Sequence, residues 1–158
     1  MRCANHRGGR GYDAGKKILG RKRHLVVDTL GLILGVLVTP ANVSDPAGAT
    51  QLLPKVIARF GWLRHFWADR TYAGMKVVGQ LRAEFPRRGL RLEIVRGKAS
   101  VKGFAVQPHR WIIERTFAWL THNRRLVRDY EERELNSEAM ILLAASKLML
   151  KRLAKYHY

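Results

Sequence analysis

"HLVVDTLGLILGVLVTP", residues 24–40, decides the fold class of this chain. Leu25, Val26 and Val27 precede Asp28-Thr29-Leu30-Gly31, and a second apolar, β-branched run, Leu32 to Val38, follows it. Asp at the first position and Gly at the fourth is type I turn chemistry. The stretch therefore predicts two adjacent strands joined by a tight turn, with Asp28 as a turn residue and not a catalytic acid.

Reading onward, "SDPAGATQLLPKVIARF" (44–60) predicts a helix capped by Ser44 or Asp45, with Pro46 in its first turn. Ala49, Leu52, Leu53, Val56, Ile57 and Phe60 recur at helical spacing, and Pro54 bends the middle. "HFWADRTYAG" (65–74) contains a short apolar strand, Phe66 to Ala68, that ends on Asp69. Val77, Val78, Leu81 and Phe85 mark a second helix, and "LRLEIVR" (90–96) alternates like a strand. A glycine-containing basic loop (97–109) leads to the helix of "HRWIIERTFAWLTHNRR" (109–125). A last helix begins near Asn136 or Ser137, and its stripe of Ile141, Leu142, Ala145, Leu148, Met149 and Leu153 is core or a docking face. Strands alternating with helices make this an α/β chain.

Reading back toward the N-terminus, residues 1–23 have the composition of a basic irregular arm: eight Lys or Arg and one acid, Asp13. "RGYDAGKK" fails as a phosphate loop, because its first glycine is misplaced and Lys17 stands where Ser or Thr is required. Cys3 and His6 are half of a metal site at most. Residues 24–158 hold the apolar periodicity and form the main domain.

Across all 158 residues, 30 Lys and Arg stand against 12 Asp and Glu, a formal charge of +18. Self-repulsion at that level is compensated by a polyanion, either nucleic acid or an anionic membrane. The run from Leu25 to Val38, interrupted by Asp28, Thr29, Gly31 and Gly35, falls short of the roughly 20 apolar residues of a span, so no membrane partner is expected. The polar, glycine-rich start carries no signal-peptide pattern, and the lone cysteine suits the cytoplasm.

Two acids stand where chemistry could sit. Asp69 lies at the carboxyl end of a strand, the place where open α/β sheets bind ligands. An acid there caps a turn, pairs with a base such as Arg70, or binds a metal. Glu114 is the one carboxylate among Arg110, Arg115, Arg124 and Arg125. Either it forms a surface pair with Arg110, four residues back, or it holds a cation whose phosphates the arginines bind. Spacing leaves both open.

Three segments are more specific: "GYDAGKKILGRKRHLVVDTLGLILGVLVTPANVSD", "WADRTYAG" and "RWIIERTFAWLTHNRRL". Together they resemble bacterial insertion-sequence transposases of the DDE class, in the insertion-sequence-five group, over about Gly11 to Leu153. The resemblance implies a ribonuclease H-like mixed sheet flanked by helices, as a catalytic domain over residues 24–158. It implies two Asp and one Glu holding two Mg²⁺ ions, with Mn²⁺ as a possible substitute. These activate water and then a DNA 3′-hydroxyl for strand cleavage and strand transfer. By resemblance Asp69 is the second acid, and Glu114, in Arg-x-x-x-Glu with Arg110, is the third. Arg110, Arg115, Arg124 and Arg125, with Lys16, Lys17, Arg21, Lys22 and Arg23 of the arm, are the expected phosphate contacts. The implied partners are double-stranded DNA at the element's ends and target, and further copies of the chain; the implied location is the cytoplasm, at the nucleoid.

Departures from the pattern matter. Gln107 and Thr121 replace a Tyr and a Lys of the wider family, leaving Arg124 or Arg125 to substitute for their DNA contacts. The family's first Asp lies in an Asp-Ser-Gln-[Ser/Thr]-Val strand, and "MRCANHRGGRGYD" resembles the continuation of that motif with Met1 in place of the Val. The expectation is a catalytic portion that lacks its first central strand and first acid, inactive alone, whose upstream reading frame encodes the missing strand. The alternative is a DNA-binding remnant without cleavage activity. A basic RNA-binding or ribosome-associated protein is disfavoured by the three motifs.

Overall fold

The structure, a computed structural model, describes residues 9–72, 77–95 and 110–155, without the side chains of residues 77 and 110. The basic loop 97–109, with Gln107, lies outside them, as do Cys3 and His6. The opening stretch forms two antiparallel strands, β2 (Ile18–Val27) and β3 (Ile33–Pro40). Asp28 holds the turn between them: its Oδ1 accepts from the backbone N–H of Leu30 at 2.9 Å and of Leu32 at 2.7 Å. Gly31 adopts φ +80°, where a side chain would be strained. A Cβ there would also stand 2.8 Å from Thr116 Oγ1 on a helix that packs over the turn.

The apolar run is nearly continuous because both faces of the hairpin are covered. On one face lies α1 (Asp45–Arg59), capped by Ser44 Oγ on the Ala47 N–H at 3.3 Å, with Pro54 inside it. Its Leu52 and Val56 pack with Leu63 against Val26, Leu34 and Leu37. On the other face, α3 (Arg110–Thr121), the short α4 (Arg124–Val127) and α5 (Glu134–Lys155) bring Leu120, Leu126 and Ile141 onto Val38, with Leu25 and Val36 at the edge. β4 (His65–Ala68) and β5 (Arg91–Ile94) pair in parallel, and α2 (Val77–Glu84) joins them to α1 through Leu81, Leu90, Leu53 and Ile57. The architecture is mixed α/β, in two separate sheets of order β1 (Gly11–Asp13)-β2-β3 and β4-β5.

Three elements differ from expectation. From Gly11 onward the supposed irregular arm is a hairpin: β1 (Gly11–Asp13) pairs with Ile18 to Gly20 of β2. Asp13 Oδ1 gathers the N–H groups of Gly15 and Lys16, and Lys17 takes φ +52° to close the turn. The cations of β2 hide its strand pattern because they point into the protein. α5 begins two residues early, at Glu134, and α4 was not foreseen. In α3 the fully buried positions are Ile112, Thr116 and Leu120, with Ile113 and Phe117 beside them.

Arg21 is 4% exposed and surrounded by acceptors. Its Nε donates to Gly9 O at 2.9 Å, Nη1 to Glu131 O at 2.9 Å and Nη2 to Glu132 O. Nη1 also meets Asp129 Oδ2 at 3.3 Å, and Asp129 is equally buried. Removing one member strands a charge away from water. Asp129→Ala is expected to cost about 3–5 kcal/mol of folding free energy, measured by urea denaturation. A loss under about 1 kcal/mol, the worth of an exposed pair, would contradict this placement.

Candidate functional site

A cleft of about 860 Å³ lies between the two sheets, bordered by β2 from Arg21 to Val27 and by β4 from His65 to Ala68. β2 is bonded to β3 along one edge, and β1 covers only Ile18 to Gly20 on the other. β4 is bonded to β5 on its far side. Among the described residues no strand lies between these two edges. Ala49, Leu52 and Leu53 of α1 line the cleft, as do Ile112, Ile113 and Phe117 of α3.

Four carboxylates are part of its wall: Asp28, Asp45, Asp69 and Glu114. Asp28 is committed to the β2–β3 turn, and Asp45 stands 3.6 Å from Lys22 Nζ. Asp69 follows β4 directly and is exposed; its Oδ1 accepts from both the N–H, at 3.0 Å, and the hydroxyl of Thr71, starting a 3₁₀ turn over Arg70–Tyr72. Glu114 is exposed in the first half of α3. Among the described residues no group of three or more His, Cys, Asp or Glu is arranged to hold a metal ion. Carboxylate oxygens of the kind Asp69 and Glu114 carry are hard donors that Mg²⁺ takes.

The expected phosphate contacts divide into three groups. Lys16 and Lys17 are exposed at the β1–β2 turn, Lys16 on the cleft wall, and Arg124 is exposed on α4. Lys22, Arg23 and Arg125 are partly engaged. Lys22 donates to Val43 O and lies 3.5 Å from Asp13; Arg23 donates to Leu126 O; Arg125, 60% exposed, meets Glu131 at 2.8 Å. Arg21 and Arg115 are structural instead. Every nitrogen of Arg21 already has an acceptor inside the fold. Arg115 lies between the rings of Trp111 and Trp119, 4.3 and 4.6 Å from their centroids, and donates to Leu30 O at 3.0 Å. The side chain of Arg110 is outside the described residues. Arg91, unmarked in the sequence, joins the wall because parallel pairing sets it opposite His65.

Two titrating groups belong to this wall. Burial, with Asp45 and Asp69 adding, pushes the Tyr72 phenol up to about 12. Burial depresses His24, Asp45 opposing and Lys22 assisting; its Nε2 lies 2.9 Å from Thr39 Oγ1 and its ring sits over Gly48.

The transposase DDE domain family matches residues 1–149. The chain belongs to the DDE transposase family. It is 35% identical over 124 residues to a protein of Burkholderia cepacia named as a candidate transposase for insertion sequence element IS402, covering 72% of this chain and 55% of that protein. The chain thus spans about half the length of the curated relative it matches. No solved structure matches it. Among its described residues no helix is long and apolar enough to cross a membrane.

The Tyr72 shift has a pH consequence. A phenol held protonated in the fold contributes stability below its unfolded value of 10.0, and that contribution is lost as pH rises toward 12. Stability is expected to fall across this window, and Tyr72→Phe to flatten the fall; an unchanged slope in the variant would contradict the phenol's burial.

Proposed function

We propose that this chain is the DNA-binding and cleft-forming part of an insertion-sequence transposase, acting on double-stranded DNA in the bacterial cytoplasm, at the nucleoid. The observation that carries the reading is that Asp69 and Glu114, 45 positions apart, line one cleft beside exposed cations. They are the acids of the "WAD" and "RWIIE" motifs. Lys16, Lys17 and Arg124, joined by Arg91 and Arg125, neutralise backbone phosphates and position the duplex without reading bases.

Members of the DDE family act with divalent metal, and Asp69 and Glu114 are the residues that would hold Mg²⁺ here. The cation, when bound, stabilises charge on the phosphoryl oxygens during displacement. Complete strand-transfer chemistry requires another carboxylate in the cleft. The two open edges, β2 and β4, and the apolar walls above and below them suit an extended strand. Its insertion would join the sheets into one mixed, ribonuclease H-like sheet, and an acid on it would complete the ligand set.

Salt dependence tests the grip. The logarithm of the DNA-binding constant is expected to fall with the logarithm of salt, by about 0.9 for each phosphate contact. Lys17→Gln and Arg124→Gln are each expected to lower that slope by about 1, whereas Asp69→Asn leaves it unchanged. A salt-independent constant would overturn the proposal. In a Mg²⁺-dependent cleavage assay on the element's ends, the chain alone is expected to leave DNA intact. Cleavage abolished by Asp69→Asn would mean that the described acids find their third ligand within this chain. Tight binding with no cleavage even when the strand is supplied would favour a purely DNA-binding remnant.

A further inference from the structure

Asp13, Asp28 and Asp69 each close a turn by accepting the backbone N–H two residues on, but Asp69 is held differently. At the first two positions the second hydrogen bond to Oδ1 also comes from backbone, the N–H of Lys16 or of Leu32. At Asp69 it comes from a side chain: Oδ1 takes the Thr71 hydroxyl as well as the Thr71 N–H. The turn itself does not depend on that hydroxyl, because the Tyr72 N–H reaches Asp69 O at 3.2 Å.

The extra bond has a chemical consequence. A carboxylate oxygen offers about two lone-pair sites, and one residue engages both of those on Oδ1. Oδ2 accepts no hydrogen bond from the described residues, and the pairing with Arg70 that the sequence allows is not made there. The carboxylate that follows β4 on the cleft wall is therefore fixed in rotation and presents a single open oxygen.

Hard cations differ in what they ask of such a group. Mg²⁺ demands near-octahedral geometry at about 2.0–2.1 Å, keeps several waters and takes one or two carboxylates. Ca²⁺ is larger and less strict, and it accepts a carboxylate through both oxygens. A carboxylate with one oxygen occupied suits the first ion and handicaps the second. Groups that hydrogen-bond to a ligating carboxylate orient it, and losing one costs about 10–100-fold in metal affinity.

We propose that Thr71 is a positioning residue for Asp69: its hydroxyl occupies Oδ1, restricts the carboxylate to ligation through Oδ2, and so favours Mg²⁺ or Mn²⁺ over Ca²⁺. This selection rests on the reading of Asp69 as a cation ligand and asks nothing of Glu114. Thr71 is exposed, so changing it disturbs no buried packing.

The test is Mn²⁺ binding to the full chain without DNA, followed by electron paramagnetic resonance of the free ion, with Ca²⁺ as competitor. Thr71→Val and Thr71→Ala both remove the donor, and Thr71→Val keeps the branched shape. Each is expected to weaken Mn²⁺ binding by about tenfold and to reduce the preference for Mn²⁺ over Ca²⁺, with circular dichroism unchanged. Thr71→Ser, which keeps the hydroxyl, is expected to restore both quantities. Unchanged affinity and preference in Thr71→Val overturn the proposal. An equal loss of both ions overturns it too, since that is a general loosening of the turn. Thr71→Ser behaving like Thr71→Val does the same, because the hydroxyl would then be irrelevant. Asp69→Asn separates this proposal from the reading beneath it. Mn²⁺ binding lost in Asp69→Asn but untouched in Thr71→Val leaves Asp69 a ligand and removes only the role of Thr71. Binding that is indifferent to Asp69→Asn, or absent from the unaltered chain, removes both.

Discussion

One buried guanidinium ties the beginning of this chain to its end. Arg21 sits on β2, and its acceptors are Gly9 on one side and the 129–132 segment on the other. Taking such a group from water is costly and is offset only when its donors are met by fixed acceptors. Meeting them sets where the chain stands just before α5. Glu138, one turn into that helix, then accepts the Val38 N–H of β3 at 2.9 Å. Thus the hairpin read first in the sequence, and the helix read last, are held in one register. The cost is paid in surface charge: Arg21 is lost to the outside, and Arg23 follows it in part through Leu126 O.

What remains outside shapes the chemistry. The cleft wall carries both acids and cations: Asp69 ends β4 and Glu114 rises from α3, and Lys16 stands at the turn that precedes β2. Among the described residues, β2 and β4 leave unpaired backbone on the edges that face this space. An open edge of this kind attracts another strand, whether the intended one or not. The chain therefore presents two unlike surfaces, a polar backbone slot and the apolar stripe of α5.

Much of the fold is legible in local sequence. The Asp28 turn, the Ser44 cap and the strand ending on Asp69 each depend on residues within four positions of one another, and each forms as its chemistry dictates. The hairpin at 11–27 was obscured because strand cations look like a solvated arm. Its inward direction depends on Asp129, 108 positions away, which no local pattern reveals. Arg115 was equally obscure: its Trp111 and Trp119 partners lie one helical turn to either side, but Leu30 O comes from another element. The site acids themselves were singled out by motif. Arg91 and Asp45 join them only through pairing and packing, and Tyr72, although it lies within "WADRTYAG", carries no local sign that its phenol is buried.

In the proposed site, Asp69 and Glu114 form the metal-facing part of the cleft. Fe²⁺ exchanged for Mg²⁺ on the DNA-bound chain, with ascorbate and peroxide, generates radicals that cut polypeptide beside the ion. Backbone cuts are expected next to residues 69 and 114, removed by excess Mg²⁺ and by Asp69→Asn. Cuts spread evenly along the chain, or gathered at acids outside the cleft such as Glu131 and Glu134, would contradict it.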